Sequence, residues 1–118
     1  MGTLKQKKSF ERKMKTYEML NSPDAWCQKT PAETAQGNKV SALDPRAVKW
    51  CVLGAIRKVY PLTQFDTAMD NVLRALSVPD RGIARMTESD KARCIMEWND
   101  DRGTSFREIQ EVLKKADV

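Results

Sequence analysis

The chain has 118 residues, 13.5 kDa of mass, 41% hydrophobic and 31% charged residues, a formal charge of +5 and no histidine. That length and balance fit one folded domain rather than a disordered chain. The missing histidine removes Ser/His/Asp and Cys/His nucleophile systems, imidazole zinc sites and any histidine base.

The basic excess belongs to one segment. Residues 1–20 carry a net +4 and residues 21–118 a net +1. From Ser9, a plausible N-cap, to Asn21, the residues Phe10, Met14 and Tyr17 recur at helical spacing, with Lys5, Lys8, Arg12 and Lys15 on the opposite face. This predicts a basic amphipathic helix, with residues 1–8 as a basic arm and 9–118 as a single helical domain. Its four cations suit nucleic-acid phosphates or an acidic protein surface, or simply a solvated face.

Asn21-Ser22-Pro23-Asp24 ends that helix, and Ala25 to Leu43 reads as a loop or a small hairpin pairing Trp26 to Lys29 with Lys39 to Ala42. Asp44 as N-cap and Pro45 at the first helical position predict a helix to about Val59. Its middle, Trp50 to Ile56, has almost no polar face, which makes it the central helix. Thr63-Gln64-Phe65-Asp66 resembles a capping box before the stripe Phe65, Ala68, Met69, Val72, Leu73 and Leu76. A turn at Asp80-Arg81-Gly82 precedes a fourth helix from near Thr87, carrying Ala92, Ile95, Met96 and Trp98 inward. Asn99 to Gly103 reads as a turn. Ser105 and Glu108 predict a capping box on a fifth helix with Phe106, Ile109, Val112, Leu113 and Ala116. The expected fold is mainly α, about five helices with a small hairpin as an open element between the first two.

The glycines Gly2, Gly37, Gly54, Gly82 and Gly103 are isolated, so no phosphate-binding glycine loop exists. Neither a cofactor nor a resident metal is expected. The three cysteines lack C-x-x-C spacing and fit a reducing cytoplasm. Cys51 lies between Trp50 and Val52, surroundings that keep a thiol inert, and Cys27 and Cys94 have no histidine to serve as base. Asp100 and Asp101 could bind a divalent cation or act as an acid/base pair. The structural alternative makes Trp98 an anchor, Asn99 a left-handed C-cap and one aspartate an acceptor of main-chain N–H groups across the turn. The longest apolar run, Trp50 to Ile56, is too short to cross a bilayer, and no secretion signal is visible.

AWCQ at Ala25 to Gln28, ALDPRAVKWCVLGA at Ala42 to Ala55, and WND at Trp98 to Asp100 together carry a resemblance. They resemble a family of small bacterial and phage proteins known mainly as a domain of unknown function, over roughly residues 10–117. Its corresponding positions are Trp26, Trp50, Cys51, Gly54, Trp98, Asn99 and Asp100. The resemblance implies an accessory protein, a class in which binding and blocking a host component is common. At these positions, Gly54 is expected to face a neighbouring helix, with the three tryptophans around that contact.

The expected function is therefore non-catalytic binding of another protein. Nucleic-acid binding through the basic helix is the alternative, and a small metal-dependent enzyme at Asp100 and Asp101 is a second one. No membrane association is expected, and oligomeric state is left open.

Overall fold

A computed structural model describes residues 14–118. In it, six α-helices and a three-stranded antiparallel sheet follow one another along the chain. They are α1 (Thr16–Met19), β1 (Ala32–Thr34), β2 (Lys39–Val40), β3 (Ala47–Trp50), α2 (Val52–Val59), α3 (Leu62–Ala75), α4 (Asp80–Ala84), α5 (Glu88–Asp100) and α6 (Phe106–Ala116). A 3-10 turn, Pro23–Ala25, lies between α1 and β1. The domain is mainly α, as composition and periodicity predict.

Helix α2 sits at the centre, with Val52, Leu53, Gly54, Ala55 and Ile56 all buried. Around it α3, α5 and α6 bring Met69, Val72, Leu73, Ile95, Ile109 and Leu113 into the core, and Leu20 and Val118 close one end. Burial of such side chains is the main source of stability, about 1.5–3 kcal/mol each. Lys91 on α5 reaches Asp66 and Asp70 on α3 at 3.0 and 2.8 Å, an ion triad across two helices with only 9% of the lysine side chain exposed.

The predicted helix from Pro45 is replaced in its first part by a strand. Asp44 spends its carboxylate on Arg46, accepting the main-chain N–H at 2.8 Å and the guanidinium at 3.0 and 3.1 Å, so it forms a local turn rather than a cap. Ala47–Trp50 then pairs with β1, and the helix starts at Val52 with Cys51 as its N-cap. Long-range strand pairing has overridden a local start signal.

A hairpin does form before that point, but it is shifted. β1 pairs with β2, Ala32 opposite Val40 and Glu33 opposite Lys39, across a turn in which Gly37 takes φ +86°. On its other side Glu33 lies opposite Lys49, so two lysines flank one carboxylate. Trp26 instead makes a parallel bridge to Trp50.

Four smaller expectations also change. In the first helix only Thr16–Met19 is described, and its buried positions are Thr16 and Leu20 while Met14 is 52% exposed. Asp80–Ala84 is a short helix, not a turn. Pro61, not Thr63, occupies the N-cap of α3. Ser105 does cap α6 by accepting from the Glu108 N–H at 3.1 Å, but the Glu108 carboxylate turns away to accept from Trp98 Nε1 at 2.9 Å.

Candidate functional site

The two Trp-Cys dipeptides of the sequence come to lie side by side. Cys27 N–H donates to the Trp50 carbonyl at 3.1 Å, continuing the Trp26–Trp50 bridge. Both cysteines are buried. Burial, then the neighbouring Cys51 and Glu33, pushes the Cys27 thiol up to about 12. Burial raises the Cys51 thiol as well. These are poor nucleophiles, because the thiolate is the reactive form. Cys51 Sγ works as a helix cap, accepting the Gly54 N–H at 3.3 Å.

Asn99 joins this pair to the end of α5. The residue is helical and fully buried, not a left-handed C-cap. Its Oδ1 accepts from Trp26 Nε1 at 2.8 Å and from the Val52 N–H at 3.0 Å. Its Nδ2 donates to the Cys27 carbonyl at 3.2 Å and to Asp100 Oδ1 at 2.9 Å. Every hydrogen-bonding position of the amide is used, the requirement for a buried polar side chain. Gln28 adds bonds to the Asn99 and Asp101 carbonyls at 2.8 and 3.2 Å, covering the C-terminal end of α5. The AWCQ, WC and WND segments are thus one interlocked unit.

Gly54 serves the same junction. A methyl group there would collide with the carbonyl oxygen of Pro31, the residue just before β1, so its close neighbour is a loop and not the expected helix. That carbonyl accepts the Cys51 N–H at 3.1 Å. The tryptophans are anchored separately: Trp26 packs against Phe106 at 6.2 Å between ring centroids, Trp50 donates to the Ala42 carbonyl, and Trp98 to Glu108.

Asp100 and Asp101 are occupied by structural bonds. Asp100 Oδ1 accepts the Lys29 N–H at 2.8 Å, and Asp101 Oδ1 accepts the Gly103 N–H at 2.7 Å. Among the described residues no group of three or more His, Cys, Asp or Glu side chains is placed to hold a metal ion. Of the basic face, Lys5, Lys8 and Arg12 lie outside the described residues, as does the Ser9 cap. Lys15 forms an ion pair with Asp117 at 3.4 Å and donates to its carbonyl at 3.1 Å.

Beside the interlocked unit lies a half-open groove of about 530 Å³. One wall is the loop Lys29, Thr30 and Pro31 with Ser41 and Ala42; the other comes from Cys51, Leu53, Gly54 and Arg57 on α2, Phe65 on α3, and Ala92, Met96 and Asp100 on α5. The volume is in the range of ligand clefts, and so is the mixture of an apolar lining with a few polar groups. Arg57 lies over the Phe65 ring at 5.9 Å from its centroid. Lys29 holds φ +70°, a left-handed backbone unusual for a residue with a side chain, and its N–H bond to Asp100 secures that conformation.

Sequence reasoning assigned Phe65 and Met96 to the core. The groove gathers residues from five separate stretches of the chain, so no spacing in the chain announces it. Met96 is in fact 44% exposed at the groove. No helix among the described residues is long and apolar enough to cross a membrane. No curated protein and no solved structure matches the chain. A family model matches residues 14–117, and the chain belongs to that family, one of unknown function designated DUF6197.

Proposed function

We propose that the protein is a non-catalytic binding module that takes a segment of a partner protein into the groove beside Cys51 and Gly54. In this reading it acts in the cytoplasm as a bacterial or phage accessory modulator, blocking a component of a bacterial complex by occupying it. The groove carries the proposal: it offers about 530 Å³ of largely apolar lining held by a rigid junction, next to thiols whose burial disfavours nucleophilic chemistry. Met96, 44% accessible, puts exposed apolar surface at the lining, as at protein-binding sites.

A pull-down from bacterial lysate with mass-spectrometric identification tests this. Wild-type protein should retain a stoichiometric partner, and Ala92→Phe, which fills the groove from α5, should lose it while melting normally. Retention by Ala92→Phe, or no partner for either protein, overturns the proposal. A gel shift at two salt concentrations addresses the nucleic-acid alternative: tight, steeply salt-dependent binding would favour that alternative over the groove.

A further inference from the structure

We infer that the segment bound in the groove is acidic as well as apolar, an extended peptide stretch that places a carboxylate beside a bulky apolar side chain. This rests on the groove reading above and adds the chemistry of the occupant. Two cations, Lys29 and Arg57, line the groove against one carboxylate, Asp100. That carboxylate already receives the Lys29 N–H and the Asn99 amide, whereas among the described residues neither the Lys29 ammonium nor the Arg57 guanidinium has an ion-pair partner. The Arg57 guanidinium lies over the face of Phe65, and the Lys29 backbone is secured in its left-handed conformation by Asp100. A planar guanidinium fixed over an aromatic ring is well suited to a carboxylate. Left-handed backbone at a residue with a side chain costs free energy and is concentrated at functional sites. The groove is half-open and Met96 is 44% exposed at it, which favours a chain that runs through the groove over an enclosed small molecule.

The test is selection of a random decapeptide display library on the immobilised wild-type protein, followed by affinity measurements on enriched peptides. The expected result is enrichment of sequences joining Asp or Glu to a bulky apolar residue. Arg57→Glu, at an exposed position, should weaken them about tenfold and shift its own selection toward Lys and Arg. Ala92→Phe should abolish binding with an unchanged melting curve. Enrichment without acidic preference, or affinity unmoved by Arg57→Glu, overturns the acidic occupant and leaves the groove reading standing. Enriched peptides that bind Ala92→Phe as well as wild type overturn the groove reading itself, and a selection that enriches nothing overturns both.

Discussion

At the scale of single residues, Asn99 has the largest consequences. Replacing it with Leu strands the Trp26 indole N–H, the Val52 N–H and the Cys27 carbonyl, each buried or partly buried. Unsatisfied buried groups cost about 1–3 kcal/mol apiece, so Asn99→Leu should lose about 3–5 kcal/mol in urea denaturation. Asn99→Asp is a sharper probe, because it keeps an acceptor for Trp26 and Val52 but turns a lone pair toward the Cys27 carbonyl and the Asp100 carboxylate; it should also destabilise, and less so below pH 4. The buried thiols set a second, alkaline dependence. Cys27 ionises near 9 when unfolded and near 12 in the fold, so between those values the unfolded chain holds fewer protons than the native one. Stability is therefore full below pH 9 and falls as pH rises toward 12, by at most about 1.4 kcal/mol per pH unit from this group. Denaturation midpoints at pH 8 and pH 10.5 check this, and Cys27→Ala should reduce the difference, the remainder belonging to Cys51 and Tyr60, whose burial raises them too. Much of this site was legible as a set: the AWCQ, WC and WND segments stood out in the chain. Their mutual bonding was not, because residues 26–28, 50–52 and 99 meet only through tertiary contact.

Among the elements, α3, α5 and α6 were readable because regular apolar stripes and the Thr87 and Ser105 caps agree with one another. The segment after Asp44 was not, since Asp-Pro is a strong helix-start pattern whose carboxylate is drawn off by Arg46, while the ladder to β1 depends on residues at least a dozen positions away. The end of α3 offers a clean test. Ser77 has φ +72°, with its N–H bonded to Arg74 O and the Val78 N–H to Leu73 O, a Schellman-type ending that favours glycine. Ser77→Gly should stabilise by about 0.5–1 kcal/mol, seen as a higher melting temperature. The α3–α5 ion triad should respond in the opposite direction. Lys91→Ala leaves Asp66 and Asp70 facing each other without their cation, and since both carboxylates keep some water contact the loss should be about 1–3 kcal/mol in thermal or urea unfolding.

Across the whole molecule, the loop before β1 and the start of α2 are clamped to the end of α5 through Asn99, and the groove lies beside that clamp, lined by the loop and by helices α2, α3 and α5. The bonds of the buried amide hold the two sides of the groove together, and a cleft formed in advance lowers the ordering cost of the binding proposed for it. The missing histidine bears on which catalysts are available, but it could not indicate the groove, because the groove is built from ordinary residues in distant parts of the chain. Lys29→Gly separates the two roles. It should hold or gain up to about 1 kcal/mol of stability by relieving the left-handed strain, while weakening partner binding. The most direct measurement of the central claim is an amide NMR titration of the wild-type protein with its captured partner. The account predicts early shift changes at Thr30, Ser41, Leu53, Arg57 and Met96, around the groove. Changes confined to the segment around Lys15, with the groove amides unmoved, would contradict it.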